Sequence, residues 1–427
     1  MKSISELLMT FFNVTEGYQL IEKISDQLSE QAKRTEFFDY LIANGVDLST
    51  DFLRDFFQSE HGDRNRLKQD YTPDSVCEII ASQVKDAKNV ADICAGTGAL
   101  SIAVLRRNPT AYLHVEELSD RAMPFLLTNL AIRNVSAEVV HCDVLTQQVK
   151  AVYLLTAGDK YSTIEKTDTL PTARKFDHVV MNPPYSLKWT PAAQSFNEGF
   201  GLPPKNYADF QFVLYGLSLL ADHGNLFAVL PHGVLFRSNA EGAIRAKVCE
   251  ARLLDSVIGL PDNLFMNTGI PVCIIGLKND KEDDKTIFIE ASKQCKKQGP
   301  INIMTSDHLA HVISTLENRT AVDKFSSLIS LDELQKNEFN LNIPRYVDTY
   351  EPPPKINLAE VISEIRKIRN QELIAEASLL NGLMQLVGFS PKEAKEIIAW
   401  KSENSYLRKS LNLKAQEKGK NIQLELL

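Results

Sequence analysis

Short apolar runs alternate with helix-period stretches through the middle of the chain, and each run stops at a polar or acidic residue. Asn89 to Ile93 runs into Cys94-Ala95-Gly96-Thr97-Gly98, and a helical stretch follows from Leu100 to Arg107. Tyr112 to Val115 ends in Glu116-Glu117, Glu138 to His141 leads to Asp143, and Phe176 to Met181 stops at Asn182-Pro183-Pro184-Tyr185. Strands interleaved with helices at this spacing predict a doubly wound, mostly parallel α/β sheet. The flanks read differently. Before residue 68, Leu20, Ile21, Ile24, Leu28, Phe37, Phe38, Leu41 and Ile42 recur at helical spacing and predict a small N-terminal helical domain. Beyond residue 340, Glu351-Pro352-Pro353-Pro354 reads as a stiff linker. Leu358, Val361, Ile362, Ile365 and Ile368 then mark an amphipathic helix running to about Leu386, with Gly388 as its stop and Ser390-Pro391 as the start of another. The expected divisions are 1–68 helical, 69–290 α/β catalytic, 291–350 an α/β remainder and linker, and 351–427 a C-terminal helical segment whose apolar stripe packs against the same chain or serves as a partner-binding seam. A polar, Thr-rich stretch over 146–174 reads as a surface insertion. Residues 187–206, which include Trp189 and three prolines, read as a long loop over the site that orders when substrate arrives.

The strand ends carry the candidate chemistry. Ligands of open α/β sheets bind outside the carboxyl ends of the strands, and glycines in the first strand-to-helix turn let a ligand approach the backbone. An acid about twenty residues further on accepts ribose hydroxyls in such sites, which points to Glu117, chosen over Glu116 by register. Asp143 can take the amino group of a cofactor adenine. No phosphate-cradling lysine follows the glycines, which argues against a Walker-type nucleotide site. A tight turn binding nothing, with unrelated surface acids, would share these features.

Asn182-Pro183-Pro184-Tyr185 suits a planar exocyclic amine. Asn182 offers a side-chain carbonyl, Pro183 a backbone carbonyl on a chain of fixed φ, and Tyr185 an aromatic face. Such an amine is a poor nucleophile because its lone pair is delocalised into the ring. Two acceptors for its two N–H bonds localise that pair and absorb developing positive charge, which is transition-state electrostatics and requires no general base. Stacking on Tyr185 returns about 1–3 kcal/mol of the cost of unstacking a base. These four residues are the candidate catalytic set. The bland alternative is a strand followed by a Pro-Pro turn.

Taken in order, Gln69-Asp70-Tyr71-Thr72-Pro73-Asp74, the Asp92 to Gly98 turn, Glu117, Asp143 and Asn182-Pro-Pro-Tyr185 resemble the amino-group DNA methyltransferases, specifically the modification subunits of type I restriction-modification systems. Asp209-Phe-Gln-Phe212, Gly224 to Phe236, Val257 to Phe265 and Thr268-Gly-Ile-Pro271 are similar to that family's segments in order and spacing. The likeness is strong over about 65–295. It implies a Rossmann-like, S-adenosylmethionine-dependent methyltransferase fold. It also implies a cofactor site in which Gln69, Tyr71, Thr72 and Pro73 lie at the methionine end, and Asp92, Ala95, Gly96, Thr97, Gly98 and Ala99 at the amino acid and turn. Glu117 then takes the ribose and Asp143 the adenine. The implied activity is N6 methylation of a flipped-out adenine in double-stranded DNA. The implied partners are a DNA-specificity subunit contacting the C-terminal helices, and in the full complex a second copy of the chain and a restriction subunit. Asp70, Ile93 and Tyr185 depart from the family, which often has an aromatic, a proline and Phe there.

Composition adjusts this picture. The 427 residues are 44% apolar and carry a net charge of −8, which is unusual for a protein that grips DNA unaided. Basic groups concentrate at Arg64 to Lys68, at Arg106-Arg107 and in the tail from Lys392, which has eight basic against five acidic residues. A solvated loop and a cation-favouring helix end account equally for the first two. After Val272 to Leu277 no stretch reads as an independent target-recognition domain, so sequence choice is expected from a partner. Six scattered cysteines without Cys-x-x-Cys read as reduced thiols of a cytoplasmic protein. No signal peptide, membrane span or metal site is expected; His308 and His311 share a helix face without a third ligand nearby. A solitary DNA methyltransferase, a methyltransferase of RNA bases or of a protein glutamine, and an idle DNA-binding scaffold remain alternatives.

Overall fold

A computed structural model describes residues 3–60, 71–84, 87–169, 174–265, 269–350 and 356–385, with a few positions between 390 and 399. Residues 1–350 form one compact unit and 351–427 a second.

In the first unit the helices α1 (Ile4–Phe12), α2 (Leu20–Ser29), α3 (Gln31–Ala43), α4 (Arg54–Glu60) and α5 (Asp74–Ser82) precede the sheet. Ser3 and Glu6 form a capping box that starts α1. The sequence-predicted stripe buries Leu20, Ile24, Leu28, Phe37, Phe38 and Leu41, while Ile42 stays exposed. These side chains join the same core as sheet residues Val90, Leu113 and Val115, so the helical segment covers one face of the sheet.

The α/β succession is β1 (Asn89–Ile93), α6 (Ala99–Arg107), β2 (Tyr112–Glu117), α7 (Met123–Ala131), β3 (Ala137–Asp143), β4 (Gln148–Thr156), β5 (Thr163–Thr167), β6 (Phe176–Met181), α8 (Asp209–Leu219), β7 (Leu220–Pro231), α9 (Asn239–Glu250), β8 (Leu254–Gly259), β9 (Val272–Lys278) and β10 (Thr286–Glu290). A small hairpin, β11 (Lys296–Gln298) with β12 (Ile301–Ile303), then α10 (Ser306–Asn318), β13 (Ser326–Ile329) and α11 (Leu331–Lys336) complete the unit. The described strands form an 11-stranded sheet of order β13-β10-β8-β9-β7-β6-β1-β2-β3-β4-β5. Pairings β3-β2-β1-β6-β7 are parallel, and β9 runs antiparallel between β7 and β8. The strand order reverses at β1 and β6, which opens a crevice at their carboxyl ends.

Period-two alternation sorts the core. Val90, Val115 and Val180 face the layer of α5, α6 and α7, whereas Ala91, Ile93, Val179 and Met181 face α8 and α9. The 146–174 stretch corrects the expected insertion: β4 extends the sheet antiparallel to β3 and β5 pairs antiparallel to β4 at the edge, with Val152 and Leu155 buried and Lys150 and Thr156 outward. Its β-branched threonines suit a half-buried strand as well as a loop, and composition alone does not separate the two.

In the second unit α12 (Leu358–Gln385) is a 28-residue helix whose Leu358, Ile362, Ile365 and Ile368 are exposed. Ser390 and Glu393 exchange hydrogen bonds as a helix-starting box. No helix among the described residues is long and apolar enough to cross a membrane.

Candidate active site

A cavity of about 400 Å³ opens at the carboxyl ends of β1, β2, β3 and β6. Around it the fold brings together Tyr71, Thr72, Ala95, Gly96, Ala99, Glu117, Asp143 and Asn182 to Tyr185. Gln69 lies outside the described residues.

The turn after β1 coils through left-handed backbone at Cys94 (φ 66°), Gly96 (φ 62°) and Gly98 (φ 96°). A side chain at Gly98 would also put its Cβ 2.9 Å from Leu126, and one at Gly96 would put it 3.0 Å from the Tyr71 ring. Glycine is therefore required on two grounds. Glu117 fixes this turn from β2: Oε2 accepts from the Gly96 N–H at 2.7 Å and Oε1 from the Ser119 N–H at 2.7 Å. Burial raises its pKa, against the backbone N–H groups that favour the charge. Neighbouring Glu116 also lines the cavity, with Oε1 held by His114 Nε2 at 2.9 Å and the Tyr215 hydroxyl at 2.7 Å. Asp143 closes its own turn, accepting from the Leu145 N–H at 2.9 Å.

Four of the expected cofactor contacts stand back from the cavity. Asp92 is fully buried beneath it, with Oδ2 accepting from the Ser101 N–H at 3.0 Å and hydroxyl at 2.6 Å, so it ties the first turn of α6 to β1. Burial, only partly offset by those bonds, pushes its carboxyl up to about 7. Thr97 turns inward to donate to Asp51 at 2.5 Å, and Asn129 donates to both Asp51 and the Thr97 carbonyl. Gly98 and Pro73 serve as N-caps of α6 and α5. Which atoms of a turn face outward depends on its tertiary anchors, and the motif does not encode them.

At the other side Asn182 lies at the end of β6. Its Nδ2 donates to Thr72 Oγ1 at 2.9 Å, and its Oδ1 accepts from the Tyr185 hydroxyl at 2.7 Å. The Tyr185 ring meets Phe265 edge-on at 6.0 Å. The following turn, with Ser186 at φ 51°, is anchored by residues given no role from sequence. Asp209, fully buried, accepts from the Ser186 N–H at 2.9 Å and from Arg237 at 3.0 Å. Arg237 also donates to Ser186 Oγ and lies 4.0 Å from the centre of the Tyr207 ring. Asp209 stood in a quoted motif, but no local pattern pairs it with Arg237.

Leu187, Lys188, Trp189 and Thr190 close the cavity. The 187–206 loop is already held by hydrogen bonds, within itself from Trp189 N–H and Nε1–H to the Lys205 and Pro204 carbonyls and onto α8 from Asn197 to Gln211, which corrects the expectation of a segment ordered by substrate. Arg106 and Arg107 pair with Glu78, the structural alternative for that basic cluster, while Arg64 to Lys68 lie outside the described residues. Among the described residues no group of His, Cys, Asp and Glu could hold a metal; His311 stacks on Phe325.

The chain is 27% identical over 324 residues to the type I restriction enzyme MjaVIII methylase subunit of Methanocaldococcus jannaschii, covering 71% of this chain and 54% of that one. It is 22% identical over 322 residues to the MpnII methylase subunit of Mycoplasma pneumoniae, covering 71% and 57%. The chain thus spans about half the length of these curated relatives. The type I restriction-modification methyltransferase subunit of Streptococcus thermophilus superposes with TM-score 0.60 at 29% identity, over 78% of this chain and 80% of that one. The family model described as N-6 DNA Methylase matches residues 51–353, from the Asp51 that holds the glycine turn to beyond the last strand of the sheet, and by that match the chain belongs to the N-6 DNA methylase family.

Proposed function

We propose that this protein transfers a methyl group from S-adenosylmethionine to the N6 amino group of an adenine flipped out of DNA, as the modification subunit of a type I restriction-modification complex. The observation that carries the reading is one cavity with two different ends, the Gly96 and Glu117 turn at one and the Asn182 amide with the Tyr185 ring at the other.

The residues fit the cofactor. Glu116, Glu117 and Asp143 give the cavity an acidic wall suited to a cation, and backbone without side chains at Gly96 allows close approach. Glu117 would take the ribose and Asp143 the adenine, with Tyr71 beside the turn. When bound, S-adenosylmethionine supplies an electrophilic methyl on a sulfonium. Asn182 Oδ1 and the Pro183 carbonyl would accept the two N–H bonds of the adenine amine while Tyr185 stacks on the base. With the amine nitrogen bonding to the methyl, the methyl–sulfur bond would break with its electron pair left on sulfur, and the positive charge gathered on nitrogen would be relieved by loss of one N–H proton to solvent water. A basic side chain is not required, because the methylated amine is strongly acidic before that loss.

The exposed stripe of α12, with Leu358, Val361, Ile365 and Ile368 on a spacing of three and four, supports a helical partner surface. We assign it to the specificity subunit. A second copy of this chain and a restriction subunit are the further members of such a complex. The experiment is radiolabelled methyl transfer to unmethylated genomic DNA, by this chain alone and with a co-expressed type I specificity subunit, scoring N6-methyladenine. Transfer only with the partner is expected. Transfer by the chain alone makes it a solitary enzyme, and none in either case overturns the proposal.

A further inference from the structure

The geometry points to a positioning role for the Tyr185 hydroxyl: with Thr72 it holds the Asn182 amide so that Oδ1 is the atom offered to the amine. This rests on the reading of the cavity as an amine-methylating site. An asparagine amide has two ends of nearly equal shape, and a half-turn exchanges an acceptor for a two-hydrogen donor. The wrong end would set donors against the N–H bonds of the substrate amine. Two hydroxyls grip the amide, Tyr185 on Oδ1 at 2.7 Å and Thr72 on Nδ2 at 2.9 Å. They are chemically unequal. A phenol is the better donor and an aliphatic hydroxyl the better acceptor, so the orientation with phenol on oxygen and threonine on nitrogen is favoured over its reverse. Both hydroxyl-bearing side chains are buried, Tyr185 at 7% and Thr72 at 5% exposure, while the amide between them faces the cavity. A carbonyl oxygen carries two lone pairs, so accepting from the phenol is compatible with accepting from the amine.

The clamp is itself held. The Thr72 carbonyl accepts from Arg54 Nη1 at 3.1 Å, and the same nitrogen pairs with Asp74 at 2.6 Å. Thr72, which lines the cavity, thereby also acts on the catalytic amide.

Tyr185→Phe keeps the aromatic face and removes only the hydroxyl. With labelled S-adenosylmethionine and unmethylated genomic DNA, kcat is expected to fall about 10- to 100-fold, with affinities for S-adenosylhomocysteine and DNA within about twofold. Thr72→Val should do the same, and Thr72→Ser should recover most of the rate. A Tyr185→Phe kcat within twofold of the natural protein overturns the proposal, as does a loss of S-adenosylhomocysteine binding that accounts for the defect. A readout independent of turnover is the side-chain amide signal of Asn182 in ¹⁵N-asparagine-labelled full-length protein, which Tyr185→Phe and Thr72→Val should both shift. If it stays in place the clamp is absent whatever the enzyme does; if it shifts in a protein that methylates nothing, the clamp stands and the proposed function falls.

Discussion

The two ends of the cavity are secured by different kinds of contact. At the glycine-turn end, carboxylates bind backbone N–H groups at or near the strand ends: Glu117 to Gly96 and Ser119, Asp143 to Leu145, Asp92 to Ser101. At the Asn182 end, the partners are mostly side chains brought from far away in sequence: Thr72 on the amide, Asp209 and Arg237 on the turn at Ser186. The first arrangement follows once β1, β2 and β3 pair in register. The second exists only after α5, α8 and α9 have packed around β6. A ligand shared by many enzymes can be held by backbone geometry, whereas orienting one reactive amide takes side-chain constraints from several directions.

The sharpest way to break this division is Asn182→Ala. Transfer should fall by at least about 10²–10³-fold while cofactor affinity stays within a few fold, because the lost group acts on the base. Equilibrium dialysis beside the transfer assay checks this, and a comparable loss of cofactor binding would merge the two ends into one. Asp92→Ala should do the reverse. Freed from its tether to Ser101, the turn loosens, cofactor affinity drops roughly tenfold, and thermal unfolding shows a loss of about 1–3 kcal/mol. Normal affinity would mean that the turn is held without Asp92.

Arg237→Lys tests the long-range side more gently. Lysine cannot span Asp209 and Ser186 with a planar fork, so kcat should fall about threefold to tenfold with cofactor affinity unchanged. The smallest effect on catalysis is expected at His114, on β2 below the cavity. Burial disfavours its charge, but hydrogen bonds to Glu116 and Glu138 outweigh this and raise it to about 9. A histidine of raised folded pKa stabilises fully below its unfolded value near 6.5, and that contribution is lost as pH rises through about 9. Denaturant melts should therefore show the natural protein losing up to about 3 kcal/mol relative to His114→Gln between pH 6.5 and 9, with transfer at neutral pH little altered. A flat difference across that range would show that the imidazole is neutral in the folded protein.

Legibility followed the same division. Strand ends at Glu117, Asp143 and Asn182 could be read because apolar runs stop where the chain reaches solvent at a sheet edge. The β4 and β5 extension was hidden because threonine-rich strands at an edge look like polar loops. Asp92 stands at an informative motif position, but the side that a buried carboxylate faces depends on where Ser101 falls on α6. Asp51, which holds Thr97 and Asn129 together, carried no sign in the sequence, since its partners lie 46 and 78 residues away.

The sequence by itself determined the α/β order, the glycine turn with its required left-handed backbone, and the residue types that can accept an amine and stack on a base. These follow from local rules, periodicity and the conformational limits of glycine and proline. Tertiary structure alone decided that Asp51 holds Thr97, that Thr72 grips Asn182, and that Arg237 and Asp209 brace the turn beyond it. Each of those contacts joins residues far apart in the chain, and a hydrogen bond a few ångströms long is specified only when every packed element between its partners is in place.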